Sequence, residues 1–184
     1  MKSQTLDIDK RLVKDCLNND QKAQRELFET YARYMLAVCY RYVNDYDTAH
    51  DLMQDGFIKV FKNLESYRNE CPLKNWISKV MVNNCLMYLR KEKKIKKAEL
   101  EEADQLADDN THFIDHLEMD IILNSISRLP DTLKMVLNMF AIDGYTYQEI
   151  AKQLEIEESS VRSYVFRARK QLALMLKQKT GIGV

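Results

Sequence analysis

The chain has 184 residues, enough for two small domains or one of middling size, and holds only four glycines and two prolines. Set against long polar-apolar periodicity, that scarcity predicts an almost entirely helical protein. The formal net charge is zero, yet residues 1–97 carry 19 basic and 13 acidic groups, residues 98–120 nine acidic and no basic ones, and residues 121–184 nine basic and six acidic ones. Two basic bodies on an acidic strap are a different object from a neutral globule, so neutrality does not exclude a nucleic-acid partner.

Cys16, Cys39, Cys71 and Cys85 are widely spaced and form no C-x-x-C pair. No signal peptide and no apolar run long enough to span a bilayer is visible. The expectation is a reduced, cytoplasmic protein whose cysteines pack as small apolar residues. His112 and His116 stand four apart but lie in the acidic stretch without a cysteine nearby, so no metal site is assigned. There is no phosphate-cradling glycine loop and no Ser-His-Asp or Cys-His arrangement. Neither catalysis nor a cofactor is expected of this chain.

Taken in order, a short amphipathic helix is predicted over Leu12–Leu17, with Asn18-Asn19-Asp20 as its stop and the next helix's start. A second helix runs from about Gln21 to Val43. Its apolar residues cover more than one stripe, which predicts several packing neighbours. After Asn44-Asp45-Tyr46-Asp47 a third helix is expected over Thr48–Leu64, with Ala49, Leu52, Met53, Gly56, Phe57, Val60, Phe61 and Leu64 as its core face. Asp51, Gln54, Asp55 and Ile58 turn the other way. They make either a solvated acidic face or a partner surface, and the isoleucine among the acids speaks for the partner.

Glu65–Pro72 reads as a loop, and a fourth helix resumes near Leu73. It carries Trp76, Ile77, Val80, Met81, Asn83, Tyr88, Leu89 and Arg90 before the run KEKKIKK, which contains Lys93 and Lys94. Aromatics beside a basic run suit stacked bases and held phosphates; Trp76 equally suits plain core, and the lysines a solvated helix end. Residues 99–110 predict a flexible linker. A helix is expected around Glu118–Leu129, and after Pro130 another with Leu133, Val136, Leu137 and Phe140 on one face. Asp143-Gly144 closes it with a residue suited to positive φ.

The stretch Tyr145–Gln171 divides into a short helix, a tight turn and a longer helix. Thr146 and Glu149 form a capping box that starts the first helix at Tyr147. Ile150, Ala151 and Leu154 make its apolar stripe, and Ile156 anchors the turn. Val161, Val165, Ala168 and Leu172 form the second helix's buried face. Opposite lie Ser159, Ser160, Arg162, Ser163, Phe166, Arg167, Arg169 and Lys170. An anchored base, a polar tip and a basic outer face suit insertion into a DNA major groove; an ordinary helical hairpin with a solvated basic face is the alternative.

Taken together, these motifs resemble the sigma factors of bacterial RNA polymerase, in the short extracytoplasmic-function group. DTAHDLMQDGFIKVF resembles the region-two helix that docks on the clamp helices of the polymerase's largest subunit. WISKVMVNNCLMYLRK resembles the helix that recognises and opens the minus-ten element. The segment from Arg128 to Leu172 resembles region four, which reads the minus-thirty-five element. The resemblance spans about Leu12 to Leu176, with both blocks in the family's order and spacing.

It implies an all-α fold of two small helical domains, residues 1–95 and 119–184, joined by an acidic flexible linker at 96–118. The family's linker threads toward the polymerase's active centre and RNA-exit channel. The implied partners are core polymerase, through its clamp helices and flap region, double-stranded promoter DNA, and the single-stranded minus-ten element. An anti-sigma factor, able to hold the protein at the inner membrane face, is a further candidate. No small-molecule substrate is implied.

Asp51, Gln54, Asp55 and Ile58 become the polymerase contacts. The loop Ser66–Cys71, with Tyr67, Arg68 and Asn69, joins Trp76, Asn83, Arg90, Lys93 and Lys94 as minus-ten contacts. Ser159, Ser160, Arg162, Ser163, Phe166, Arg167 and Arg169 become the upstream contacts. Three positions depart from the family pattern. Met87 replaces a common acidic residue. Glu155 replaces the turn's usual glycine, which predicts a strained or reshaped turn. Glu157 replaces the usual Ser or Pro and removes a good N-cap. A stand-alone helix-turn-helix regulator, or an interaction protein that never engages polymerase, remains the rival reading.

Overall fold

A computed structural model describes the backbone of residues 2–99 and 125–180, and the side chains of 9–92 and 125–177. Residues 96–99 of the expected tether continue a helix, while its remainder, His112 and His116, the start of the helix near Glu118 and the side chains of Lys93 and Lys94 lie outside those residues. No strand occurs among the described residues, and the chain divides into two compact units, Met1–Asp108 and Asp109–Val184. The expected all-α class holds.

The first unit is built from α1 (Lys2–Leu17), α2 (Gln21–Val43), α3 (Tyr46–Lys62), a 3-10 turn (Leu64–Ser66) and α4 (Leu73–Glu99). α1 is longer than the Leu12–Leu17 segment expected, because apolar periodicity marks only the part whose side chains Leu12, Val13 and Cys16 are buried. Asp20 starts α2 by accepting from the amides of Lys22 and Ala23, and Asn44 ends it in the left-handed region. Asp45 caps α3 two residues earlier than expected by accepting from Thr48. That hydrogen bonding, to the Thr48 side chain and amide, holds the Asp45 carboxyl below its ordinary range.

α2 packs on both α3 and α4, and α3 packs on α4. Leu27, Met35, Val38, Val60, Leu73, Ile77 and Met81 fill the space between them and are all fully buried. Each contributes roughly 1.5–3 kcal/mol by leaving water. Gly56 permits the close approach of α3 and α4: a Cβ there would overlap the Met81 sulfur. Beside this contact Asn84 donates to the Leu52 carbonyl at 2.8 Å and accepts from the Lys59 ammonium. The buried amide thereby finds partners on α3, as a buried polar group must.

In the second unit residues 125–127 are helical, followed by α5 (Asp131–Leu137), which widens into a π-type turn over Asn138–Ile142. Gly144 then turns the chain at φ 74°. The pair α6 (Tyr147–Leu154) and α7 (Glu158–Thr180) completes the unit. Ile126, Leu129, Leu133, Leu137 and Ala168 form its core, with Tyr164, Leu172 and Met175 packed against them. Ile150, Val161 and Val165 are buried as their spacing predicts.

Candidate nucleic-acid interface

Three surfaces gather the residues that the sequence singled out. On α3, burial of Leu52, Met53, Phe57 and Val60 forces Asp51, Gln54, Asp55 and Ile58 outward, all exposed, with Ile58 at 52%. The Gln54 amide lies 3.2 Å from the His50 ring nitrogen, and the His50 ring stacks on Tyr46. The face is polar with one apolar centre, suited to a protein partner.

The second surface is the loop between the 3-10 turn and α4. Ser66, Tyr67, Arg68, Glu70, Cys71 and Trp76 line a cavity of about 350 Å³. Its shape comes from local chemistry. The Ser66 hydroxyl donates to the Asn63 carbonyl at 2.7 Å, and Asn69 takes the left-handed conformation at φ 59°. The Tyr67 hydroxyl donates to the Cys71 carbonyl at 2.7 Å, closing the loop on itself. Burial, then the nearby Asp9 charge, raises the Tyr67 pKa.

Tyr67, expected among the minus-ten contacts, lines the cavity, but its side chain is buried and packs at 5.6 Å on Trp76. It supports the cavity from beneath, because its hydroxyl is already used within the loop. Arg68 and Asn69 are exposed at the rim, and Trp76 is half-buried with one side on Tyr67. Trp76 is thus partly core and partly open aromatic surface. Trp76, Asn83, Met87 and Arg90 follow at i, i+7, i+11 and i+14, which places them along one face of α4; Asn83, Met87 and Arg90 are exposed.

The third surface is the outer face of α7. Ser159, Arg162, Ser163, Phe166, Arg167 and Arg169 are exposed, Ser160 is half-buried, and Phe166 shows 69% of its surface. The capping box expected at Thr146 and Glu149 is present in both directions. Glu155 keeps the turn's shape by adopting the left-handed conformation at φ 56°, and the Ile156 amide reaches the Ala151 carbonyl at 3.1 Å. The departure from glycine therefore strains the turn rather than reshaping it. The Glu157 carbonyl accepts from Ser160 and Val161, so Glu157 holds the N-cap position, with its side chain exposed.

Sequence reasoning missed an aromatic-cation array on this unit. The Phe140 and Tyr147 rings stack 4.6 Å apart at 3°; Arg162 lies 4.6 Å over Tyr147 and Arg169 5.2 Å over Phe140. Arg162 also pairs with Glu158 one turn back. The only sequence signal was two aromatics and two arginines, whose convergence depends on how α5, α6 and α7 cross.

The family model described as Sigma-70 region 2 matches residues 27–95, and the one described as Sigma-70, region 4 matches residues 119–172. The ECF RNA polymerase sigma-E factor of Haemophilus influenzae is 29% identical over 177 residues, covering 89% of this chain and 93% of that protein. The factor of the same name from Escherichia coli K12 is 28% identical over 177 residues, covering 89% and 92%.

Among solved structures, the sigma factor RpoE in complex with the anti-sigma factor NepR from Bartonella quintana superposes with a TM-score of 0.59 at 18% identity, over 83% of this chain and 96% of that one. CnrH in complex with the cytosolic domain of CnrY superposes at 0.53 and 17% identity, over 94% and 99%. At these identities the superpositions speak for the fold.

Proposed function

Because this chain belongs to the sigma-70 family, in its extracytoplasmic-function group, we propose that each of the three surfaces carries one step of transcription initiation. The protein binds core RNA polymerase, directs it to specific promoters and helps open the DNA. The α3 face of Asp51, Gln54, Asp55 and Ile58 docks on the clamp helices of the polymerase's largest subunit. The outer face of α7 enters the major groove of the upstream element, where Arg162 and Arg167 read base edges and the serines hold phosphates. The flap region takes the second unit. Residues 1–95 and 119–184 are the working domains, and 96–118 is the tether between them.

The observation that carries this reading is the loop cavity beside an aromatic and a line of polar side chains on α4. A duplex offers no base to such a cavity; a strand leaving the duplex does, and an extruded base stacks on an aromatic wall. Trp76 supplies that wall, Arg68 and Asn69 the rim, and Asn83 and Arg90 the path of the following nucleotides. Lys93 and Lys94 extend the path with phosphate contacts. Nucleotide addition is left to the polymerase, so this chain contributes recognition and melting rather than catalysis.

The site of action is the cytoplasm, where core polymerase works, and an anti-sigma factor at the inner membrane face would withhold the protein until it is needed. Among the described residues no helix is long and apolar enough to cross a membrane. The test is run-off transcription with core polymerase on a promoter carrying both elements. The expected outcome is transcript only when the chain is added, with loss on scrambling either element. Tight binding of the chain alone to a palindromic site, with no effect on polymerase, would replace this reading by that of a stand-alone regulator.

A further inference from the structure

The loop cavity depends on a residue far from it in sequence. Asp9 lies on α1 and is 4% exposed. One of its carboxylate oxygens accepts from the Tyr31 hydroxyl of α2 at 3.0 Å. The other accepts from the backbone N–H of Leu73 at 3.4 Å. Leu73 is the first residue of α4 and follows Pro72 at the end of the loop. The first amides of a helix lack intrahelical partners and carry the positive end of its dipole, so a carboxylate is suited to this place. The Pro72 carbonyl next accepts from Asn75 and Trp76, which makes the amide held by Asp9 the entry to the turn that bears Trp76.

α1 also packs on the 3-10 turn where the loop begins. Both ends of the loop are thus braced by one helix that lies before the region-two family match at residues 27–95. A buried carboxylate adds little stability, because its desolvation offsets much of what its bonds return. Two directed bonds to two different helices do, however, define a geometry.

We infer that Asp9 is a positioning residue for the strand-capturing cavity. It sets the first turn of α4, and with it the Trp76 wall, at a fixed place relative to α2 and the loop. It touches no DNA itself. The inference rests on the reading of the loop as the minus-ten site. Its consequence is that base discrimination at the opened strand depends on α1, while polymerase docking through α3 and upstream reading through α7 do not.

The test uses the full chain with core polymerase and three variants: Asp9→Ala, Asp9→Asn and Tyr31→Phe. The readout is the ratio of affinities for a matched and a base-substituted single-stranded minus-ten oligonucleotide, beside polymerase affinity, upstream-element binding and thermal melting. Losing a hydrogen bond to a charged group is expected to lower that ratio about tenfold in Asp9→Ala. Asp9→Asn, which keeps an acceptor, should recover part of the loss, and Tyr31→Phe should fall between them.

Polymerase affinity and upstream binding should stay at wild-type values in all three. A wild-type ratio in a folded Asp9→Ala overturns the inference. Should Asp9→Ala fail to fold, wild-type ratios in both Asp9→Asn and Tyr31→Phe overturn it instead. Trp76→Ala separates the two layers: if it leaves the ratio intact, the minus-ten reading of the loop fails. If Trp76→Ala abolishes discrimination while the Asp9 and Tyr31 variants keep it, only the positioning role fails.

Discussion

The Arg162 guanidinium lies 4.6 Å over the Tyr147 ring while its side chain is tied to Glu158. A long cation that would otherwise sample many rotamers is therefore held in one orientation on the face of α7 that the proposed function places in the groove. Part of the ordering cost is met before binding. Tyr147→Ala is expected to weaken upstream-element binding two- to five-fold, the equivalent of an exposed cation-aromatic contact of about 0.5–1 kcal/mol. Arg162→Ala should cost about 1–3 kcal/mol and relax base preference. Titrations on matched and scrambled upstream DNA decide it: equal losses on both for Arg162→Ala would mean a phosphate contact rather than a base reader.

Glu155 stands at φ 56° between α6 and α7. A side chain with a Cβ in that region costs roughly 1 kcal/mol, which glycine avoids. Glu155→Gly is expected to raise the stability of the second unit by up to about 1 kcal/mol, less what glycine loses in unfolded-chain entropy. Thermal melting checks this, and a lowered midpoint would show that the Glu155 side chain makes a compensating contact.

At the N-cap of α7, Glu157 is exposed and adds a negative charge beside the expected phosphates. Glu157→Ser restores a short capping hydroxyl and removes that charge, each change worth roughly 0.5–1 kcal/mol. Upstream binding should tighten several-fold at low salt, with the gain shrinking as salt rises. Unchanged binding across the salt series would assign Glu157 a favourable contact of its own.

Charge reversal tests the proposed docking face. Asp51 and Asp55 are exposed on the side of α3 away from its core, so replacing both by Lys leaves buried area untouched. Surface changes of this kind usually shift stability by less than about 0.5 kcal/mol, whereas reversed charges facing their former partners cost several kcal/mol. The double variant should melt like wild type and lose polymerase affinity. Intact affinity in the folded variant would move the docking site elsewhere.

The four cysteines should separate by reactivity. Cys16, Cys39 and Cys85 are buried, while Cys71 is half-buried at the loop cavity. Burial, then the charges of Asp15, Asp20 and Glu26, pushes the Cys16 thiol from 9.0 up to about 11. Since the folded value lies above the unfolded one, Cys16 contributes stability that is fully present below pH 9 and lost as pH rises through about 11. Alkylation of the native protein at pH 8 should modify Cys71 first, and a bound minus-ten strand should slow it. Equal protection of Cys71 with matched and unrelated strands would count against capture at this cavity.

Local chemistry was readable in the sequence wherever a signal and its effect lie within one turn. The bounds of α2, the capping box at Thr146 and the glycine turn at Gly144 all follow from nearest neighbours. The outward faces of α3 and α7 followed from helical period alone. What escaped depends on contacts across the chain. Tyr67 looked like a loop aromatic because Trp76, which covers its ring, stands beyond the loop on α4. Asp9 lies 64 positions from Leu73, and no pattern along α1 announces that contact. Asn84 was passed over beside Asn83, although a shift of one residue turns a side chain by about 100° on a helix and decides which asparagine is buried.

The missing side chain at Gly56 has a further consequence. With the Met81 sulfur occupying the space a Cβ would need, α3 and α4 meet without slack, and Asn84 pins them side by side. Packed interiors have low compressibility, so the outer faces of these two helices behave like the jaws of a fixed gauge. In the proposed function one jaw is the surface that grips the enzyme and the other the surface that meets the opened strand. Wherever the first is seated, the second stands at a set distance from it, and the close contact of Gly56 with Met81 helps to hold that distance without any loop taking part.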